Sequence, residues 1–247
     1  MRSRIRSRRG TAIAPPTHLQ STGSEPEPDQ GVAGRSARRE HQRRLDRAGL
    51  EHGARSRLLR ALIGPSPAER RRAALDRNWA TGARGEELLA EALARRCPEV
   101  LALHDRRFGR ANIDHIAVAP SGVYVIDTKR HRGKIKVRRP LFGGPSLTIA
   151  GRDRTKLIAG LDRQVAYVRA AITDVAPDVP VHGCLCFITP EGFLAEVGLP
   201  LLRTLKVNGH PLYRPARLVK RLNRPGPLGP GRAFDIEAVL ARRLPPA

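Results

Sequence analysis

Two aspartates and a lysine, Asp114, Asp127 and Lys129, lie together within residues 112–129 and carry charged groups suited to catalysis or metal binding. Two runs rich in β-branched residues flank residues 120–122, a Pro-Ser-Gly sequence typical of a tight turn, so this stretch predicts a β-hairpin. A loop of residues 120 and 121 places Asp114 opposite Asp127, whereas a loop of residues 121 and 122 places Asp114 opposite Lys129. In both registers the three side chains share one face, because opposed residues point to the same side of a sheet.

These residue types are typical of metal-assisted chemistry on phosphates. Two neighbouring carboxylates repel each other and are costly to bury unless a cation or a proton lies between them. Mg²⁺ commonly binds one or two protein carboxylates and fills its other positions with water and substrate phosphate. Lys129 would add a positive charge that could position the attacking water or offset phosphoryl charge. The alternative is an ordinary hairpin in which Asp114 caps a strand end and Asp127 pairs with Lys129 or an arginine.

Helices and strands on both sides of the hairpin must hold these groups in place. Apolar residues recur at helical spacing in residues 81–96 and 155–172, and residues 100–104 and 181–189 have the composition of strands. Further along, residues 201–207 predict a strand, and residues 215–222 and 234–244 predict short helices. The pattern predicts an α/β domain with a central mixed β-sheet flanked by helices.

Three motifs in this order carry a resemblance to a known family: Gly82-Ala-Arg-Gly-Glu86, Asn112-Ile-Asp-His115, and Gly122-Val-Tyr-Val-Ile-Asp-Thr-Lys129 followed by Gly133. Together they resemble the nuclease-related domain, which is placed in the Asp…Asp/Glu-x-Lys nuclease superfamily with a restriction-endonuclease-like fold. The resemblance covers residues 80–190. It implies that Glu86 is the acid on the first helix, that Asp114 is the central metal ligand, and that Asp127 and Lys129 form the acid-x-lysine pair.

Gln164 resembles a glutamine that exonuclease-type relatives keep near the metal. The match is looser there, because those relatives usually place a tyrosine four residues later, whereas Tyr167 lies three residues after Gln164. By resemblance, the expected site is therefore Glu86, Asp114, Asp127, Lys129 and Gln164. The acids Asp114, Asp127 and Glu86 are expected to hold Mg²⁺ or Mn²⁺. Without the resemblance, Glu86 reads as an ordinary carboxylate in the first turn of a helix.

The composition favours a polyanionic partner. The chain has 46 Lys+Arg residues against 23 Asp+Glu residues, a formal net charge of +23, and nucleic acid is the commonest polyanion in a cell. A genomic bias toward arginine is the alternative source of this charge. Aromatic residues make up 4% of the chain, which argues against a base-stacking platform and predicts contacts mainly to phosphate. Arg106, Arg107 and Arg110, in a predicted loop, are candidates for such contacts.

Cysteine content and hydropathy predict a cytoplasmic protein that does not cross a membrane. Three cysteines in 247 residues do not make a disulfide framework, which favours a reducing compartment. No stretch is long and apolar enough to cross a bilayer, and the basic N-terminus lacks the apolar core of a signal peptide.

The chain divides into four predicted parts. Residues 1–33 read as a disordered basic tail, and residues 34–79 as a basic helical extension. Residues 80–190 form the predicted nuclease-related domain, and residues 191–247 complete the fold. In the extension, residues 35–63 have sparse apolar positions and could face a protein partner, and Ser66 with Pro67 predicts a helix start.

We therefore predict metal-dependent hydrolysis of nucleic acid phosphodiester bonds, with DNA as the expected substrate. The alternative is a nucleic-acid-binding or scaffold module that keeps the nuclease fold with little catalytic activity. The sequence leaves open endonuclease or exonuclease action, sequence preference and oligomeric state.

Overall fold

The computed structural model describes residues 28–50, 67–131, 133–188, 198–200 and 202–247. Its helices are α1 (Arg35–Leu50), α2 (Pro67–Arg96), α3 (Lys156–Ile172), α4 (Pro215–Leu222) and α5 (Pro230–Arg243). Its strands are β1 (Leu101–Phe108), β2 (Ala111–Ala119), β3 (Gly122–Arg130), β4 (Ile135–Arg138), β5 (Ser146–Ile149), β6 (Arg152–Asp153), β7 (Val181–Ile188), β8 (Leu205–Val207) and β9 (His210–Tyr213). Predictions for residues 1–27, 51–66 and 189–197 lie outside the described residues.

The main sheet is mixed and has the strand order β1-β2-β3-β7-β9-β8. Strands β1, β2 and β3 are antiparallel neighbours, and β7 runs parallel to both β3 and β9. In the β2–β3 hairpin Ala119 pairs with Gly122, so residues 120 and 121 form the loop. This is the predicted register that puts Asp114 opposite Asp127.

Helices cover both faces of this sheet. On one face α2 and α4 contribute Leu93 and Leu222 to a buried cluster, and on the other α3 and α5 contribute Leu161 and Leu240. Each fully buried leucine stabilises the fold by roughly 1.5–3 kcal/mol relative to an exposed one. The predicted α/β architecture, a central mixed sheet flanked by helices, is confirmed. Residues after 190 supply two strands of the sheet and one helix on each of its faces, since β8, β9, α4 and α5 all lie there.

A small second sheet, β4-β5-β6, follows β3 in the chain. Its strands are antiparallel neighbours, and Leu147 and Ile149 of β5 are buried in the core. The sequence does not predict β5 or β6, because strands of four and two residues are too short to have a clear periodicity.

The N-terminal boundaries differ from the prediction. Helix α2 begins at Pro67, as expected, but continues without a break to Arg96, so the expected boundary at residues 79 and 80 falls inside one helix. Residues 28–33, assigned to the tail, lie against β1, where the backbone N–H of His104 donates to the carbonyl of Gln30 at 2.7 Å.

The prediction of a loop over residues 105–110 was wrong for residues 105–108, because β1 continues to Phe108. Arg106 is fully buried and donates to the carbonyl of Asp29, so it is not available to a phosphate. Arg107 and Arg110 are exposed. The arginine is buried because its guanidinium has carboxylates nearby, and the charge of Glu237 on α5 is one of them.

Cys97, Cys184 and Cys186 are free thiols and all are buried. Burial raises the pKa of the Cys184 and Cys186 thiols, so both behave as small apolar side chains of β7. This agrees with the expectation that no disulfide framework is present. Within the ranges given above, no helix combines the length and apolar character needed to cross a membrane.

Candidate active site

Strands β2 and β3 separate where the predicted acids begin. Pairing between the backbones of the two strands continues as far as His115 and Ile126. Beyond this pair, the contact with β3 is made by the side chain of Asp114 and not by its backbone. One carboxylate oxygen of Asp114 accepts a hydrogen bond from the backbone N–H of Thr128 at 2.8 Å. Asp114 is thus held in the opening between the strands, beside Asp127 rather than in the core.

Asp127 and Lys129 form an ion pair on β3, as one of the two sequence interpretations predicts. The Lys129 ammonium donates to a carboxylate oxygen of Asp127. Strand β3 remains paired with β7 through Arg130, so the backbone that carries both residues is fixed. Burial by itself would lower the pKa of Lys129, but Asp127, Asp114 and Glu86 together raise it above its usual value. Lys129 is therefore a permanent cation.

Glu86 reaches the same place from α2. A Cβ on Gly85 would come within 3.2 Å of the Cβ of Arg130, so the glycine lets α2 pack closely on the end of β3. Glu86 is 8% exposed and accepts a hydrogen bond from the backbone N–H of Gly34. Its second carboxylate oxygen is buried, and no residue that the structure describes donates to it.

The acids beside Lys129 affect one another's pKa values through their charges. Burial and the charge of Asp105 raise the pKa of Glu86 to about 7, with a smaller contribution from Asp127. Burial and Glu86 raise the pKa of Asp114 well above its usual value, although Lys129 opposes that shift. A carboxyl whose pKa is near neutrality is suited to exchange a proton at physiological pH. The structure thus brings Glu86, Asp114, Asp127 and Lys129 together.

A cavity of about 650 Å³ opens beside these groups. Glu86, Asp114 and Lys129 line it, and Asp127 lies behind Lys129. The other charged residues of its lining are basic: Arg130, His131, Arg152 and Arg154. We call this the carboxylate cavity. Arg152 in β6 and Arg154 directly after β6 are exposed, so they could meet substrate phosphate where the loop arginines were expected.

The N-terminal segment forms one side of the carboxylate cavity, which the sequence analysis missed. The backbone N–H and the hydroxyl of Ser36, in the first turn of α1, donate to the Asp105 carboxylate at 2.6 and 2.7 Å. Asn112 donates to the same carboxylate at 2.7 Å. Asp105 therefore caps α1 from a distant strand and lies where its charge acts on Glu86.

Asp105 has a positive φ of 50°, and Gly34 one of 72°, and neither conformation can be read from the sequence. A pairing between residues 36 and 105 likewise leaves no signal in one sequence. The predicted protein-partner surface over residues 35–63 is described only as far as Leu50, and its first turn is occupied by this contact. The partner itself stays a prediction.

Gln164 lies near the site but does not line the carboxylate cavity. Its side-chain amide donates to the carbonyl of Asn112 at 3.3 Å, two residues before Asp114. Its amide oxygen is buried, with no hydrogen-bond donor among the residues described. Its role stays a prediction.

His115, next to Asp114, is fully buried and contacts His104, with 2.8 Å between their Nδ1 atoms. Burial lowers the pKa of both rings, that of His104 to about 4, so the pair is neutral. His115 therefore packs in the core and does not face the carboxylate cavity.

The donor set suits a hard divalent cation. Carboxylate oxygens are the ligands that Mg²⁺ and Mn²⁺ prefer, and the unpartnered oxygen of Glu86 is available to one. Across the described ranges, however, no group of three or more histidine, cysteine, aspartate or glutamate side chains is arranged to hold a metal ion. The arrangement offers one or two carboxylate ligands, which is the number that Mg²⁺ commonly takes from a protein.

One of three comparisons with known proteins found a match. Residues 81–188 match the family model described as Nuclease-related domain. No curated protein and no solved structure matches the chain. The matched segment runs from α2 to the end of β7 and contains all five predicted site residues, and the restriction-endonuclease-like assignment is consistent with the name of the domain. Over residues 81–188 this chain is therefore similar to the family of nuclease-related domains.

Proposed function

We propose that the chain is a metal-dependent nuclease that hydrolyses phosphodiester bonds of nucleic acid, with DNA as the expected substrate. The observation that carries the proposal is the meeting of three acids and a lysine beside one cavity whose lining also includes three arginines, Arg130, Arg152 and Arg154. The acids are suited to a cation, and the arginines are suited to substrate phosphate. A purely structural hairpin does not need both.

Asp114 and Asp127, with Glu86, would hold Mg²⁺ or Mn²⁺, which when bound lowers the pKa of water and offsets charge on the phosphate. Lys129 stays protonated and donates hydrogen bonds, so it positions the attacking water or the phosphate and does not act as a base. Glu86 has a pKa of about 7 in the absence of the cation, and as a ligand it would hold or orient the water bound to the cation. Arg152 and Arg154 neutralise the backbone of the substrate.

The test is cleavage of linear DNA, circular DNA and RNA by the purified protein with Mg²⁺, with Mn²⁺ and with chelator. An Asp127→Ala variant should lose metal-dependent cleavage and still bind nucleic acid, because phosphate contacts supply most of the affinity. Linear against circular DNA distinguishes exonuclease from endonuclease action.

Asp178→Asn is a matched control, since Asp178 is an exposed aspartate in an ion pair with Arg232 on another surface. It should cut like the wild type. Cleavage that survives in Asp127→Ala, or that is lost equally in Asp178→Asn, contradicts the assignment of the carboxylate cavity.

The second candidate is a nucleic-acid-binding module with the nuclease fold and little activity. Two observations favour it: the Asp127 carboxylate is occupied by Lys129, and three carboxylates do not form a ready-made metal site. If the wild type and Asp127→Ala bind nucleic acid equally and neither cuts, this candidate replaces the first.

A further inference from the structure

A second and larger cavity, of about 830 Å³, lies toward the opposite end of β3 from the carboxylate cavity. The start of β7, the turn between β8 and β9, and helices α3 and α4 line it. Tyr124, near the start of β3, forms part of its floor, whereas the carboxylate cavity begins at Thr128. The proposed chemistry does not use this second cavity.

Among the residues that the structure describes, its lining has six lysine and arginine side chains and no aspartate or glutamate. The cations are Arg169, Lys206, Arg217, Lys220, Arg221 and Arg224. We call this the basic cavity. Six like charges around one concavity repel each other, and that repulsion is relieved when an anion occupies the space.

The cations of the basic cavity are held mainly by neutral groups. Arg169 donates to the carbonyl of Val181 at 3.2 Å, and Arg221 lies 5.6 Å above the ring of Tyr124. Ion pairs between residues that the structure describes do not include Lys206, Lys220, Arg221 or Arg224. By contrast, Arg232 and Arg243 on α5 each pair with a surface aspartate. Lys206, Lys220, Arg221 and Arg224 therefore have no carboxylate partner among the residues that the structure describes.

The position of the cations favours an extended anion over a compact one. They come from α3, β8, α4 and the loop after α4, so they surround the space from several elements rather than meet at one point. Tyr124 is 2% exposed and its hydroxyl contacts Ser121 at 2.8 Å, so it cannot offer a face to a base. Contacts should therefore go to phosphate and be independent of sequence.

We propose that the basic cavity binds consecutive phosphates of a nucleic-acid strand, separately from the site of cleavage. Four residues of β3 separate Tyr124 from Thr128, which is roughly 13 Å of strand. A duplex strand covers that distance in about four nucleotides at about 3.4 Å each. One strand could thus occupy both cavities. This reach argument rests on the proposed function, whereas the charge of the basic cavity does not.

The test is binding of a fluorescent 12-nucleotide single strand in chelator, across a series of salt concentrations. Lys220→Gln/Arg224→Gln removes two exposed cations of the basic cavity. Arg138→Gln/Arg242→Gln removes two exposed arginines elsewhere and is the matched control for net charge. The cavity variant should bind about five- to tenfold more weakly, and its log–log salt slope should fall by about 1.4, since each lost phosphate contact on a single strand contributes about 0.7.

Equal affinities and slopes in the two double variants overturn the proposal. A parallel titration with ATP separates a strand from a free nucleotide: loss of ATP binding with the oligonucleotide unaffected also overturns it. Because chelator stops cleavage, the outcome does not depend on activity. A protein that never cuts can still support the basic cavity, and a basic cavity that fails leaves the Asp127→Ala cleavage test unchanged.

Discussion

The carboxylate cavity and the basic cavity lie toward opposite ends of β3 and handle charge in opposite ways. In the first, Glu86, Asp114 and Asp127 are close to one another and to Lys129, and the pKa values of Glu86, Asp114 and Lys129 are raised. In the second, lysines and arginines line an open concavity, and Lys220 and Arg224 are exposed. Buried charges must be balanced within the fold, whereas exposed charges are balanced by solvent and ligand.

The two cavities differ in how much their charged residues lower the stability of the folded protein. In the carboxylate cavity, burial disfavours the charged form of the acids. These acids therefore lower the free energy of unfolding. The basic cavity costs little, because its cations stay hydrated. Substitutions in the first should therefore change stability strongly and with pH, and substitutions in the second should change ligand binding.

The largest effect should come from Lys129→Met. Without the ammonium group, no cation lies as close to Asp127, Asp114 and Glu86 as Lys129 does. Removing one partner of a buried ion pair costs roughly 3–5 kcal/mol of unfolding free energy. Urea denaturation at pH 8 should show this loss in the free energy of unfolding. The loss should be smaller at pH 5, because the remaining carboxyls can then take up protons.

Lys206→Met is the control from the basic cavity, where the exposed lysine makes no ion pair with any residue that the structure describes. It should change the free energy of unfolding by about 0.5 kcal/mol or less. If both variants lose the same small amount at pH 8, the contrast between the two cavities is wrong.

The second-largest effect should be a gain in stability in the variant Glu86→Gln. The pKa of Glu86 is about 7 in the folded protein against 4.5 ordinarily, so the folded state binds more protons than the unfolded state between these values. Stability contributed by this group is present below pH 4.5 and falls as pH rises toward 7, by about 3 kcal/mol at most. The neutral amide avoids that loss. In metal-free buffer, Glu86→Gln should be more stable than the wild type at pH 8 and similar to it at pH 5.

Glu87→Gln is the matched control, since Glu87 is the next residue of α2 but pairs with Arg38 at 2.6 Å on the surface. It should be slightly less stable than the wild type at both pH values. A Glu86→Gln variant that is destabilised equally at pH 5 and pH 8 would show that Glu86 is not a strained buried acid.

The parts of this site that the sequence predicted are those that follow from local periodicity. Period-two spacing in residues 112–129 placed Asp114 beside Asp127, and the turn chemistry of residues 120–122 limited the hairpin to two registers. Helix α3 and the second half of α2 followed from the apolar stripes in residues 155–172 and 81–96, whereas the continuity of α2 from Pro67 did not. Glu86 needed the family resemblance, because a carboxylate in a first turn is ordinary on its own.

The parts that the sequence did not predict depend on residues far apart in the chain. Asp105 meets Ser36 across 69 positions, and its positive φ has no signature in residue type. The basic cavity combines Arg169 with Arg224, which lie on separate elements with no shared motif. Arg106 was misplaced because an arginine in a polar run suggests a loop, whereas its burial is made possible by Asp29 and Glu237.

The smallest effect tests whether the N-terminal segment belongs to the carboxylate cavity alone. In Ser36→Ala, Asp105 keeps the backbone N–H of Ser36 and the amide of Asn112 but loses the hydroxyl donor at 2.7 Å, which should cost about 1 kcal/mol of unfolding free energy. Oligonucleotide binding in chelator should not change, because α1 does not line the basic cavity. Ser146→Ala, a half-buried serine on β5, is the control and should cost less. If Ser36→Ala weakens strand binding as much as Lys220→Gln/Arg224→Gln does, the two cavities are coupled through the fold, and the separation drawn between them fails.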